Sequence, residues 1–319
     1  ILDLGQLSFL NLSHNEFQLL DTSYFQLTQR IFVRAQAPKC KFKRCGVDIV
    51  VGNPIAVVRM VAEDSARAVD LVLHLGGKRP KGACANDLKR VTFIAITGES
   101  RLALTELQTS CFAQNLTILE FQATAGLFNA TGGVVENETF DAFPNLEHLD
   151  MNRCFIHTIE PGTFSKCCKL DRLDLTNNNL NDLARLGSTV LNHLKQLSAL
   201  VLDNNNFTLI ADKHGGALRH WNLSSIDSLR LSGNYLPSLG QEDLSGMPEL
   251  RTFKCKYCGL ETIAKDTFSM NSELETLCLS GNAKLNRTVA DEWGVRDLDL
   301  TARLKSDTVL GCSDSTSIL

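Results

Sequence analysis

The chain has 319 residues, 44% hydrophobic and 21% charged, with Lys+Arg 32 against Asp+Glu 36 and a formal net charge of −4. That length exceeds the roughly 100–200 residues of one ordinary domain, so the chain is either two globular domains or one elongated repeat array. The balance of charge lacks the basic surplus that neutralises phosphates, so nucleic acid is not indicated as a partner.

No run reaches the roughly 18 apolar residues that span a bilayer, and the best stretch, residues 69–75, is interrupted by His74, so no membrane span is expected. The chain opens Ile-Leu-Asp-Leu without a signal-peptide pattern, and both ends read as cut. Its 11 cysteines are scattered, which favours an oxidising compartment over a metal cluster. Asn-x-Ser/Thr sequons at Asn11, Asn115, Asn129, Asn137, Asn206, Asn222 and Asn286 exceed the roughly three expected by chance, and point to secretion or cell-surface display.

In chain order, the first element is LSFLNLSHNEF from Leu7, which fits the template LxxLxLxxNxL. Residues 1–30 are thus one repeat with a truncated start. From 31 to 90 the template fails, because inward positions fall on Arg34 and Gln36. Two readings of that stretch stay open: a degenerate or inserted region, or a mistranslated one. Ile55-x-x-Val58-x-Met60 and Leu71-x-Leu73-x-Leu75 are its candidate degenerate coils. Cys40, Cys45, Cys84 and Cys111 bracket it and are the leading disulfide candidates, with three connectivities open.

Weak coils resume over 91–145. Leu116-x-x-Leu119-x-Phe121 has the strand pattern without the Asn, and residues 124–135, with Gly132 and Gly133, read as an exposed loop. From 146 to 303 the repeat is regular. LEHLDMNRCFI starts at Leu146, LDRLDLTNNNL at Leu170, LSALVLDNNNF at Leu197, IDSLRLSGNYL at Ile226 and LRTFKCKYCGL at Leu250, with partial coils at Leu274 and Val295. The start-to-start distances are 24, 27, 29, 24, 24 and 21 residues. Residues 304–319 read as a tail with a lone Cys312 and no cysteine cap.

Apolar residues at template positions 1, 4 and 6 are expected to point inward from a short strand. The Asn at position 9 is expected to bond backbone groups of adjacent coils. Asn15, Asn178, Asn205, Asn234 and Asn282 form that predicted ladder. Cys154 and Cys258 occupy the same slot, where a small thiol is expected to be buried and to donate weakly. Phe140, Phe164, Leu191 and Phe268, each six residues before the next coil, are expected to fill the other half of the core. Cys255-x-x-Cys258 has a redox or zinc spacing, but both positions point inward, so structural burial is expected. Cys167 is expected in the core and Cys168 exposed or cross-linked.

No GxSxG, HExxH, P-loop or dinucleotide fingerprint occurs, so no enzyme, cofactor or metal is expected. Side chains between the inward leucines line up in outward columns. The position-5 column runs Asn11, Asp150, Asp174, Val201, Arg230, Lys254, Cys278 and Asp299, from acidic to basic. Flanking columns add Glu147, His148, Arg153, Asp171, Arg172 and Asp203, then Arg251, Lys256 and Tyr257. The ligand-binding candidates are therefore His148, Asp150, Arg153, Arg172, Asp174, Asp203, Arg230, Arg251, Lys254, Lys256 and Tyr257. Such a strip steers a charged partner. The competing account is a face charged for solubility, with opposite charges paired between strands, as between Asp174 and Arg172. A glycan on Asn11 would direct binding to later coils or to the lateral edge.

The motifs LSGNYL, LTNNNL and CGLETIAKDTF on a period near 24 resemble extracellular leucine-rich-repeat proteins, especially Toll-like receptor ectodomains and chaoptin-like or connectin-like adhesion glycoproteins. The resemblance covers about half of the chain. It implies an α/β repeat, a leucine-rich-repeat solenoid (horseshoe) with a parallel concave sheet and an irregular convex side. It also implies a disulfide-bearing extracellular glycoprotein that binds a protein or microbial-surface ligand as a receptor ectodomain in innate immunity, alone or as a homo- or heterodimer. A cell-adhesion or matrix glycoprotein is the runner-up, and an intracellular repeat scaffold the third class.

Overall fold

The computed structural model describes residues 2–3, 9–12, 25–26, 31–35, 46–51, 56–61, 91–97, 108, 113–122, 127–128, 131–208, 218–296 and 312, and as strand backbone only up to residue 97. The chain divides into two compact units, Ile1–Phe155 with Ser165–Leu170, and Ile156–Phe164 with Asp171–Leu319.

The first unit holds β1 (Leu2–Asp3), β2 (Phe9–Leu12), β3 (Phe25–Gln26), β4 (Ile31–Ala35), β5 (Gly46–Val51) and β6 (Ala56–Val61). It continues with β7 (Val91–Thr97), β8 (Ile118–Gln122), β9 (Val134–Val135) and β10 (His148–Asp150). Its main sheet has the order β2-β4-β5-β6-β7-β8-β10. Pairing is parallel from β6 onward, as a coil repeat requires. Between β4 and β6 it is antiparallel, with Val33 opposite Ile49 and Ile49 opposite Val58. That antiparallel stretch lies within residues 31–90, where the sequence template fails. Antiparallel neighbours need only a short reversal, whereas each parallel step needs a crossover of a dozen residues or more. Residues 36–45 and 52–55, the two connections, are each shorter than that, while β6 then pairs in parallel with β7. The candidate coil at 71–75 lies outside the described residues.

Residues 124–135 also depart from the expected exposed loop. Among those described, Leu127, Phe128 and Val135 are buried. The Phe128 carbonyl accepts from the amides of Thr131 and Gly133, and Gly132 and Gly133 take positive φ, so the turn folds its apolar flanks inward.

The second unit holds β11 (Thr158–Ile159), β12 (Arg172–Asp174), β13 (Ala199–Val201), β14 (Ser228–Arg230), β15 (Ser238–Leu239), β16 (Thr252–Lys254), β17 (Thr262–Ile263) and β18 (Thr276–Cys278). Strands β12, β13, β14, β16 and β18 pair in parallel, so that Leu173, Leu200, Leu229, Phe253 and Leu277 stand side by side in one row. All five are buried, as are the position-6 residues Leu175, Leu202, Leu231, Cys255 and Leu279.

The predicted asparagine ladder is present at every described position. Asn234 Oδ1 accepts from the Asn205 amide at 3.0 Å, while its Nδ2 donates to the carbonyls of Leu202 at 2.9 Å and Leu231 at 2.7 Å. Asn282 accepts from the amides of Cys258 and Leu260 and donates to the carbonyls of Cys255 and Leu279. Asn178 and Asn205 accept likewise from the amides of Ile156 and Leu180. Asn15 lies outside the described residues. In the Asn slot of its own coil, the Cys154 thiol donates to the Phe121 carbonyl at 2.9 Å, taking over the donor half of the role.

One regularity lies outside the template. The residue before the ladder position has positive φ in six coils: Arg153, Asn177, Asn204, Gly233, Tyr257 and Gly281. Asn and Gly tolerate this left-handed region, and they hold four of the six places. Arg and Tyr stand there in the two coils whose ladder residue is Cys.

On the opposite side Phe140, Phe164, Leu191 and Phe268 are all buried as expected. The longer coils add a plug of their own. Trp221 is buried and donates from Nε1 to the Leu183 carbonyl at 3.2 Å. Its ring lies over Gly187, where any Cβ would overlap it, within the short helical stretch Leu183–Arg185 and Leu186–Val190. Asn271 serves the same side by donating to the carbonyls of Leu244 and Met247.

Candidate recognition surface

Each short strand exposes the side chains on either side of its buried position-4 residue, because successive side chains alternate across a strand. The predicted columns can therefore be located one residue at a time. In the first unit, His148 is half-buried, Asp150 is buried and Arg153 is exposed. Asp150 Oδ1 accepts from the Asn152 amide at 2.8 Å. Asp174 repeats that bond to the Thr176 amide at 2.8 Å in the second unit. These aspartates fasten the turn that leaves the strand.

In the second unit the charges are largely neutralised locally. Arg172 Nε lies 3.5 Å from Asp171, not paired with Asp174 as the alternation suggested. Arg230 binds Asp203 through Nη2 at 2.7 Å and Nε at 2.9 Å, and Asp203 also accepts from the Ser232 amide. Arg251 and Asp227 lie 3.9 Å apart. Burial raises the Asp174 carboxyl above its ordinary pKa; the Thr176 hydrogen bonds and Arg230 oppose that shift, and Asp203 reinforces it. Asp203 and Lys256 are buried, as are the column residues Val201 and Cys278, so these positions offer a ligand little side-chain surface. Lys254 is half-buried.

Cysteine chemistry differs from expectation at two places. Cys255 and Cys258 are buried as expected, but they are joined in a disulfide. Inward-pointing residues three apart across the turn bring their Cα atoms to 5.5 Å, within bonding reach. Cys312 is not alone: it is bonded to Cys278 across a sequence separation of 34, and its carbonyl accepts from Lys256 Nζ at 2.6 Å. Position 5 points Cys278 out of the strand, so only a residue returning over that face can reach it. Cys167 is buried and Cys168 exposed, both free. Burial, then Asp141 and Cys168, push the Cys167 thiol up to about 12. Cys40, Cys45, Cys84 and Cys111 lie outside the described residues, as does Asp299.

Tyr257 is the most prominent candidate that remains open to solvent. It is 71% exposed, holds φ +52°, and rests against Gly281, where a Cβ would overlap its ring. Exposed Arg251 belongs to the same coil. Tyr235, which the column analysis did not single out, is 51% exposed in the preceding coil. A signal for it exists in the sequence: it follows the ladder Asn234, at a position whose side chain faces solvent.

Residues 132–180 match the family model described as Leucine rich repeat. That match falls on the coils whose buried leucines and ladder residues are given above. The fold is that of a leucine-rich-repeat solenoid. Over 142 residues this chain is 34% identical to Tsukushi from Xenopus tropicalis, a match covering 44% of this chain and 38% of that protein. It therefore spans about two fifths of the curated relative it matches. Among solved structures, TLR13 in its complex with ssRNA13 superposes with TM-score 0.50 at 20% identity, covering 67% of this chain and 27% of that one. This agrees with the Toll-like resemblance at the level of fold. Mouse RP105 in the RP105/MD-1 complex gives TM-score 0.49 at 15% identity, covering 86% of this chain and 42% of that one. Among the described residues no helix is long and apolar enough to cross a membrane.

Proposed function

We propose that this leucine-rich-repeat chain is an extracellular recognition module, the ligand-binding part of a receptor of the innate-immune type, which takes a protein or microbial-surface ligand on its solvent-facing strand side. The observation that carries the reading is Tyr257. A tyrosine kept 71% exposed in a left-handed conformation costs on the order of 1 kcal/mol where glycine or asparagine would serve the fold. Tyrosine with a neighbouring arginine is also the composition of binding hot spots. Arg251, Lys254 and Tyr257 form the core of the proposed site. Arg172 offers a further solvent-facing cation in the same unit. The internally paired Asp203 and Arg230 hold the surface in place.

Compartment is supported by two disulfides and by sequons whose Asn137, Asn206, Asn222 and Asn286 side chains are exposed. The test is display of the chain on animal cells, followed by binding of labelled extracellular proteins and microbial envelope fractions. The expected result is at least one saturable ligand whose binding falls about tenfold or more with Tyr257→Ala and Arg251→Glu, the size of effect that loss of a hot-spot residue produces. Retention in the cytosol with unmodified sequons, or a ligand indifferent to both substitutions, overturns the proposal.

A further inference from the structure

Tyr235 and the sequon Asn206-Phe207-Thr208 occupy one small area of the second unit. Thr208 and Tyr235 are bridge partners in parallel register, and the Tyr235 amide donates to the Phe207 carbonyl at 2.9 Å. Phe207 is buried while Asn206 and Thr208 are exposed; Asn234 and Leu236 are buried while Tyr235 is exposed. Alternation therefore places Asn206, Thr208 and Tyr235 on the same solvent-facing side. A strand spacing near 4.8 Å and two residues of rise put the Asn206 and Tyr235 Cα atoms roughly 8 Å apart. That is within reach of a sugar ring on one and an aromatic ring on the other.

The Tyr235 ring lies against the next coil. Its Cδ2 and Cε2 are 3.0 Å from where a Cβ on Gly259 would stand, and Gly259 has positive φ. The missing side chain lets the ring lie over that coil while Tyr235 stays 51% exposed. Beyond it, Lys284 Nζ and Glu261 Oε1 pair at 2.6 Å on the exposed surface. A flat apolar ring bordered by hydrogen-bonding groups suits the face of a pyranose, which has axial C–H groups on one side and hydroxyls at its rim.

We propose that an N-linked glycan on Asn206 packs its first sugars against the Tyr235 ring, so that the chain's own glycan covers this aromatic. The occupant is the glycan, because the acceptor asparagine and the ring lie on one face and the sequon threonine is the ring's own bridge partner. The inference rests on the extracellular reading above. Tyr257, whose column carries no sequon beside it, stays uncovered and available to a ligand.

The test uses the full chain secreted from animal cells, as wild type and as Thr208→Ala, which removes the sequon and leaves Tyr235 in place. Tyrosine nitration by tetranitromethane is followed by peptide mass, with Tyr257 as internal reference. The expected result is an occupied Asn206 in wild type and a Tyr235/Tyr257 nitration ratio that rises severalfold in Thr208→Ala. Enzymatic removal of the whole glycan from folded wild-type protein, with Thr208 in place, is expected to raise the ratio in the same way. An unchanged ratio in either comparison, or an empty Asn206 while any other sequon is occupied, overturns this inference alone. Absence of glycan from every sequon overturns the extracellular reading as well.

Discussion

Replacing Asn234 by alanine tests the ladder where its bonding is most complete. The carboxamide is buried and serves three backbone groups: it accepts from the Asn205 amide and donates to the carbonyls of Leu202 and Leu231. Each buried backbone group left without a partner costs about 1–3 kcal/mol. Three such groups, discounted because neighbouring losses are not additive, give an expected loss of about 3–5 kcal/mol. Urea denaturation followed by tryptophan fluorescence reads it, since buried Trp221 lies between the coils that begin at Leu197 and Ile226. Hydrogen exchange at the Asn205 amide should accelerate in parallel. Asn234→Asp keeps an acceptor for Asn205 but sets a buried carboxylate against two carbonyls, so at neutral pH it should be at least as damaging as alanine. A loss below about 1 kcal/mol for Asn234→Ala, with the Asn205 amide still protected, would refute the claim that this side chain joins the coils.

Gly187→Ala drives a methyl into the Trp221 ring, and over-packing of this kind costs about 1–3 kcal/mol, read as a lower thermal midpoint; an unchanged midpoint would show that the ring has room to move. Asp174→Asn, which keeps an acceptor for the Thr176 amide, is expected to be neutral or stabilising at pH 7. Because burial raises the folded pKa of this carboxyl, the folded state binds the proton more tightly than the unfolded chain. Its ionisation therefore weakens the fold as pH rises through the folded pKa, and the advantage of the Asp174→Asn protein should vanish once pH falls below the ordinary aspartate range. Stability curves of both proteins against pH check this. Iodoacetamide at mildly alkaline pH should label Cys168 in the folded protein and spare Cys167, whose thiol is pushed up to about 12, with peptide mass as the readout. Equal labelling of both would contradict the buried placement of Cys167.

How much of this was legible depended on whether a residue's role is fixed by its place in the period. Leu173, Leu200, Leu229 and Leu277 are buried because the period makes them so, and Asn178, Asn205, Asn234 and Asn282 bond as their slot requires. Cys154 behaves in that slot as a small donor, as its size and chemistry suggest. The surface was harder. Column position alone put Asp203 and Lys256 among solvent-facing candidates, yet Arg230 and the Cys312 carbonyl hold them in buried pairs. Such pairs depend on which coil lies next door and on how far a long side chain bends.

The repeat by itself determined the inward rows, the ladder and the side of each strand that meets solvent, since all three follow from alternation and from a period that returns every coil to the same register. Only the tertiary structure decided that Cys278 meets Cys312, that Cys255 meets Cys258, that the chain reverses between β4 and β6, and that Tyr235 lies over Gly259. Those contacts join residues whose spacing follows no period. Their energies come from distances that appear only when the chain has closed on itself.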